Sequence, residues 1–226
     1  MVNFNPLKFY RHLTKEFRKL YANHGPDHNY DTHLKYVVQN AQSICLANNI
    51  KYTKEMELGA VLHDCTEIYD RKNHHKSAAR AVPYILEDLG ITDVDVELVQ
   101  KCVRYHRASE TADITNMPID VRVVSAADRM KAYDTKENVL EFILYRAYLY
   151  SKTHDDEVDD TSDPAYSAWK YNREVFTLDS IKSRKIYSDL YRSVWGEQLK
   201  KQAEIIQSIT LDEFRTWLRE VKGENC

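Results

Sequence analysis

Apolar side chains recur along this chain mainly at the spacing of three and four residues that places them on one face of an α-helix. Long alternating runs of β-branched residues, which are typical of strands, do not occur in the sequence. The pattern predicts successive helices over residues 4–21, Asp31 or Thr32 to Asn49, Thr53 to Cys65, 74–89, Thr92 to His106, Ile119 to Ala132 and Val139 to Tyr150. Two or three C-terminal helices follow, so we expect an all-α fold.

Local signals mark the ends of two of these helices. Thr210 and Glu213 have the spacing of a capping box and predict the start of the last helix. Gly90 is expected to end the helix over residues 74–89, because glycine readily adopts the left-handed conformation that follows many helices. Residues 153–163 instead break the helical pattern with six acidic side chains, and Pro164 follows them. We interpret this segment as a solvated loop, with a mobile lid or an adventitious cation site as alternatives.

Composition narrows the class of protein. The 226 residues carry 32 Lys and Arg against 35 Asp and Glu, and the net charge of −3 argues against a dedicated nucleic-acid binder. The four cysteines are scattered without a CxxC pair, which favours a reduced protein in the cytoplasm. No apolar stretch reaches the ~18 residues of a membrane span, and the N-terminus has no secretory signal pattern.

Four residues form a candidate metal-binding set: His33, the adjacent pair His63-Asp64, and Asp128. Each lies in or beside a segment whose pattern predicts a packed interior. An ionised carboxylate next to Val61 and Leu62 would be costly to bury without a partner, and a cation is the simplest partner. Two imidazoles and two carboxylates make a mixed nitrogen and oxygen ligand set for a divalent ion.

This order of motifs resembles the HD superfamily of metal-dependent phosphohydrolases, and in particular its small bacterial or phage-type enzymes that act on nucleotides. The matching segments are Tyr30-Asp31-Thr32-His33-Leu34, Val61-Leu62-His63-Asp64 and Ala126-Ala127-Asp128-Arg129-Met130. The resemblance implies a helical bundle of the HD type with additional C-terminal helices. We therefore predict a single HD-type domain over residues 1–226, with a motif-bearing core at about 24–150, an acidic loop at 151–165 and a C-terminal extension at 166–226.

The resemblance also suggests roles for residues near the motif. Glu67 stands three residues after Asp64, where a Glu in HD nucleotidases and alarmone hydrolases positions the attacking water. Glu67 and Asp64 are therefore the candidate catalytic residues. His75 and His106 resemble histidines that bind substrate phosphate or a second metal, and we favour phosphate; His74 is a weaker candidate. The cationic residues that could offset phosphate charge include Lys76, Arg129 and Lys131.

The function expected on these grounds is hydrolysis of a nucleotide, most simply a deoxynucleoside tri- or monophosphate, with release of phosphate or pyrophosphate. One divalent ion would activate the water, and Mn or Mg is favoured over Fe, Co, Ni or Zn. An alarmone hydrolase is an alternative, although Ile68 stands where those enzymes carry an Asp. A non-catalytic nucleotide-binding HD protein is another. We expect no nucleic-acid or membrane partner, and the aromatic C-terminal helices could form a homodimer face.

Overall fold

The computed structural model describes residues 14–24, 29–107, 114–129, 133–153, 163–177 and 188–224. Every regular element within these ranges is a helix, which confirms the prediction of an all-α bundle with additional C-terminal helices. The helices are α1 (residues 14–20), α2 (Lys35–Ala47), α3 (Lys54–Leu62), α4 (His74–Asp88), α5 (Val96–Arg104), α6 (Ile119–Ala127), α7 (Lys136–Val139), α8 (Tyr145–Thr153), α9 (Pro164–Val175), α10 (Asp189–Ser208) and α11 (Leu211–Lys222). Single π-helical turns, Tyr30–Leu34 and Leu140–Leu144, lead into α2 and α8.

The described residues fall into two compact units. The first contains the described residues up to 129 together with 188–194, and the second contains 133–177 with 195–224. The division assigns the start of α10 to the first unit and its remainder to the second. The domain boundaries expected from the sequence are not tested by this division and stay a prediction.

Helix α3 forms the centre of the first unit, with every residue from Met56 to Leu62 buried. Its Gly59 lies against α5: a Cβ added at this glycine would stand 2.5 Å from the Cβ of Cys102. The missing side chain therefore lets the two helices pack closely. Cys45, Cys65 and Cys102 are free thiols buried in this unit, as their apolar settings predict.

Side-chain hydrogen bonds connect α2 and the start of α3 to the two ends of α6 in the first unit. The Thr53 hydroxyl caps α3 by accepting from the backbone N–H of Met56, and it donates to Asp120 on α6 over 2.6 Å. The amide of Asn40 on α2 donates to the backbone carbonyl of Ala127 over 3.1 Å. These bonds hold both ends of α6, and hence Asp128 after it, in place.

The second unit has its own apolar core. Aromatic and aliphatic side chains of α8, α9 and α11 meet there, among them Tyr148, Ala168, Phe214 and Leu218. The predicted capping box is present: Thr210 accepts from the backbone of Glu213, and Glu213 accepts from the backbone of Thr210. Of the acidic segment, residues 154–162 lie outside the described residues, and Asp163 caps α9.

Several predicted helix ends are wrong. The helix expected to begin at Asp31 or Thr32 is preceded by the π-helical turn from Tyr30, where the Asn29 side chain accepts the backbone N–H of Asp31. The Asp31 carboxylate pairs with Arg18 at 2.8 Å instead of capping the helix. The helix expected from Thr92 begins after Asp95, because the Asp95 side chain accepts the N–H of Leu98. The helix expected to reach Ala132 ends at Ala127, and Asp128 is its C-cap.

The N-terminal helix is described only in part. Residues 14–20 are helical, as the pattern over 4–21 predicts, and residues 4–13 lie outside the described ranges. Among the described helices, none combines the length and the apolar character that crossing a bilayer requires.

Candidate metal centre

The predicted ligands lie where regular α-helix begins or ends. His33 lies in the π-helical turn before α2, where the N–H of Leu34 reaches back to the carbonyl of Asn29 over 3.4 Å. Helix α3 ends at Leu62, so His63 is its C-cap and Asp64 lies in the following turn, not inside the helix as predicted. Irregular turns of this kind are frequent at functional sites because they aim side chains away from the regular helical directions.

The four predicted ligands come together. The Nε2 atoms of His33 and His63 lie 3.2 Å apart. Oδ2 of Asp64 lies 3.5 Å from His33 Nε2 and 3.2 Å from His63 Nε2. Oδ1 of Asp128 lies 3.4 Å and 3.0 Å from the same two nitrogens. His33, His63 and Asp64 thus form one compact donor group, and the Asp128 carboxylate lies against both of its imidazoles.

These separations fit a divalent ion. Ligands about 2.0–2.2 Å from one ion stand about 3.0–3.5 Å from their neighbours in octahedral or tetrahedral geometry. The observed distances of 3.0 to 3.5 Å fall in this range. His63 and Asp64 are almost fully buried, and carboxylates placed there require a compensating charge.

A second donor group lies on the other side of the same carboxylate. Oδ1 of Asp64 lies 3.1 Å from His74 Nε2 and 3.6 Å from His106 Nε2. The two imidazole nitrogens are 3.2 Å apart, and all three residues are buried. Asp64 therefore offers one oxygen to each group, an arrangement that can bridge two cations.

Three of the four donor imidazoles are held in one tautomer. His63, His74 and His106 each place Nδ1 within 2.9 Å of the backbone carbonyl three residues earlier. A carbonyl only accepts a hydrogen bond, so Nδ1 carries the hydrogen and the neutral ring has its lone pair on Nε2. Backbone hydrogen bonds of this kind orient metal-binding histidines toward the ion.

The electrostatics of the first group favour positive charge. Burial alone would lower the pKa of His63, but Asp64 and Asp128 raise it well above its ordinary value. Burial would likewise raise the pKa of Asp128, yet His63 and His33 lower it well below its ordinary value. In the second group, burial and the charge of His63 lower the pKa of His106 to about 4, so this ring is neutral and ready to coordinate.

Other predicted site residues lie around these groups. Glu67 lies outside both and pairs with Arg71 at 3.3 Å, with 11% of its side chain exposed. His75 is buried, and its ring contacts those of His74 and His106 at centroid distances of 5.9 and 6.5 Å. The structure thus brings His74 into a donor group, where the sequence analysis favoured its neighbour.

The predicted cationic residues differ in their surroundings. Lys76 is exposed on α4, Arg129 is half-buried directly after Asp128, and Lys131 lies outside the described residues. Sequence reasoning missed Arg107, whose guanidinium donates to the carbonyl of Lys72 over 3.0 Å. Its position directly after His106 is the only signal in the sequence that could have indicated it.

Comparison with known proteins gives one finding. Residues 30–133 match a family model described as the HD domain. The matched segment includes all of the donor residues, namely His33, His63, Asp64, His74, His106 and Asp128. No curated protein and no solved structure matches the chain.

Proposed function

Because the chain carries an HD domain and is a metal-dependent phosphohydrolase, we propose that its substrate is a nucleotide. The bond cleaved would be the phosphate ester or anhydride of a deoxynucleoside mono- or triphosphate, with phosphate or pyrophosphate released. The observation that carries the phosphoryl chemistry is the Asp64 carboxylate, whose two oxygens face two sets of imidazoles at 3.2 and 3.1 Å.

The donor groups suit two divalent ions. The first would be held by His33, His63, Oδ2 of Asp64 and Asp128, and the second by Oδ1 of Asp64, His74 and His106. Ions bound there would lower the pKa of water and offset the negative charge of the phosphoryl oxygens. Four imidazoles among the donors favour a transition ion such as Mn²⁺, Fe²⁺ or Co²⁺ over Mg²⁺, which prefers oxygen ligands.

Glu67 is our candidate for the group that accepts a proton from the attacking water. It follows Asp64 by one turn, and its backbone N–H donates to the Asp64 carbonyl over 2.9 Å. The ion pair with Arg71 holds the carboxylate, most of which is shielded from solvent. Glu67 lies in the same turn as the metal ligand Asp64, so its fixed carboxylate can accept the proton of the attacking water without a change in that turn.

The surroundings of the centre support a nucleotide as the substrate. Tyr69, in the turn after the motif, exposes 81% of its surface and is free to stack on a base. Arg107 directly follows His106 of the second group. Although burial lowers the pKa of His74, the bond to Asp64 raises it above its ordinary value, and the charge of Arg107 offsets part of this rise. A guanidinium at this place can pair with phosphate oxygens.

A panel of nucleotides with identification of the products tests the proposal. We expect the purified protein to release phosphate or pyrophosphate from at least one deoxynucleotide in the presence of Mn²⁺ or Co²⁺. Asp64→Asn should lose this activity, whereas Asp88→Asn, which changes an exposed carboxylate on α4, should keep it. Nucleotide binding without turnover would identify a binding protein, and turnover of non-nucleotide phosphate esters alone would contradict the proposed substrate class.

A further inference from the structure

The backbone at the end of α3 is held by side chains from a segment forty residues earlier in the chain. After Leu62 the chain tightens, and the N–H of Cys65 donates to the carbonyl of Leu62 over 3.2 Å. That N–H would otherwise bond the carbonyl of Val61, as the regular helical pattern requires. The Val61 carbonyl, on a fully buried residue, must therefore find another donor.

Tyr21 supplies this donor. Its hydroxyl donates to the carbonyl of Val61 over 2.6 Å, and both residues are buried, with Tyr21 only 1% exposed. Directly after α1, the N–H of Tyr21 itself donates to the carbonyl of Phe17, so the ring is anchored at its own backbone. The bond reaches the peptide group two residues before His63.

His24 makes the corresponding bond on the other side of the motif. Its Nε2 lies 3.1 Å from the backbone carbonyl of Asp64, which also accepts from Glu67. Because a carbonyl only accepts, this nitrogen carries the hydrogen. The rings of Tyr21 and His24 lie against each other, with 4.5 Å between their centroids, so the two donors form one unit.

We propose that Tyr21 and His24 are positioning residues of the metal centre. They fix the peptide groups on either side of the His63-Asp64 pair, so that His63 is oriented for the first donor group and Asp64 for both. Neither residue belongs to a donor group, and they act only through the backbone. The inference deepens the proposed function and rests on its metal site. It makes the segment around residues 17–24 part of the centre.

The physical reason lies in the geometry of the turn. Asp64 has to place its two oxygens toward two different sets of imidazoles, so a small rotation of its backbone misplaces both. Only the turn after α3 separates it from Glu67, and that turn lacks the continuous hydrogen bonds of a helix. Two buried bonds from outside supply the missing constraint. Loss of an outer residue that orients metal ligands costs about ten- to a hundredfold in metal affinity or activity.

Titration with Co²⁺, followed by its visible absorption, tests this role in the full chain. We expect Tyr21→Phe and His24→Leu to weaken Co²⁺ binding by about ten- to a hundredfold and to change the absorption spectrum. His24→Gln keeps an N–H donor and should restore much of the affinity. Tyr148→Phe is the matched control, since it removes a buried hydroxyl that donates to Glu224 in the second unit over 3.2 Å.

The outcomes separate this inference from the proposed function. If wild type binds Co²⁺ and the Tyr21 and His24 variants bind it with unchanged affinity and spectrum, the positioning role is wrong and the metal site stands. Equal weakening in Tyr148→Phe would also overturn the role, because it would reflect general loss of stability. If wild type binds no Co²⁺, Mn²⁺ or Fe²⁺, the proposed centre itself fails.

Discussion

At the scale of single residues, Asp64 and Glu67 lie in the same turn, and we propose metal binding for the first and proton transfer for the second. The Asp64 carboxylate faces imidazoles on both sides, at 3.2 Å from His63 and 3.1 Å from His74. Glu67 stays out of both donor groups and is paired with Arg71. Metal binding and proton transfer are therefore expected to respond separately to substitution.

Glu67→Gln tests this separation. The substitution keeps the size of the side chain but removes its ability to accept a proton, so kcat should fall by about two to four orders of magnitude. The metal content should match that of wild type, because Glu67 is not among the proposed ligands. Wild-type turnover in the variant would remove Glu67 from the mechanism, and loss of metal would make it a ligand.

A buried acidic residue inside α3 affects the stability of the fold. Glu57 is 1% exposed in the first unit. Burial raises its pKa to about 8, although the nearby Tyr52 hydroxyl partly offsets the shift. The carboxyl group is therefore neutral in the folded protein at neutral pH, whereas in the unfolded chain it ionises near its ordinary value of 4.5.

This shift predicts how stability depends on pH. Between about pH 4.5 and 8 the folded state holds a proton that the unfolded state has lost, so Glu57 stabilises the fold below this window and its contribution disappears as the pH rises. The loss amounts to about 1.4 kcal/mol per pKa unit of the shift. In urea unfolding, Glu57→Gln should flatten the decline seen in wild type, while the exposed Glu87→Gln should follow wild type. Parallel curves for Glu57→Gln and wild type would contradict the raised pKa.

At the scale of elements, helices were predictable where the signal is local. The caps by Thr53 and Thr210 depend on backbone groups only three residues away, so the sequence shows them directly. The end of α3 at Leu62 depends on Tyr21, forty residues away, and no local pattern shows that bond. The π-helical turn that carries His33 likewise begins with a cap by Asn29, because Asp31 is occupied by Arg18.

Gly59 tests the packing of α3 against α5. Alanine is the better helix former, yet its Cβ would stand 2.5 Å from the Cβ of Cys102, so Gly59→Ala should lower the free energy of unfolding by about 1–3 kcal/mol. The matched change Gly196→Ala in α10 meets no atom within 4 Å and should raise it by about 0.5–1 kcal/mol. Urea unfolding of both variants measures the difference. Equal effects of the two changes would show that α3 and α5 do not pack this closely.

At the scale of the whole molecule, the sequence indicated the first donor group but not the second. His33, His63, Asp64 and Asp128 were found because their order and apolar settings are visible in the sequence. The choice between His74 and His75 depends on their orientation at the start of α4, since neighbouring residues on a helix point about 100° apart. His106 lies beyond the end of α5, so its direction depends on packing and on its bond to the carbonyl of Val103.

The consequence for the molecule is a change in the expected number of ions. From the sequence we expected one ion, with His106 binding substrate phosphate. The structure places His106 Nε2 3.2 Å from His74 Nε2 and 3.6 Å from Oδ1 of Asp64, and these three donor atoms can hold a second ion. In the proposed centre, two donor groups within one stretch of about a hundred residues share the Asp64 carboxylate.

The number of tightly bound ions tests this centre most directly. Elemental analysis of wild type, equilibrated with Mn²⁺ and freed of excess ion, should give two ions per chain. His106→Ala should retain one ion, and Asp64→Asn, which replaces a shared oxygen by an amide nitrogen that cannot coordinate, should retain neither at full affinity. Asp88→Asn should retain two. One ion in wild type, or two in His106→Ala, would contradict the account.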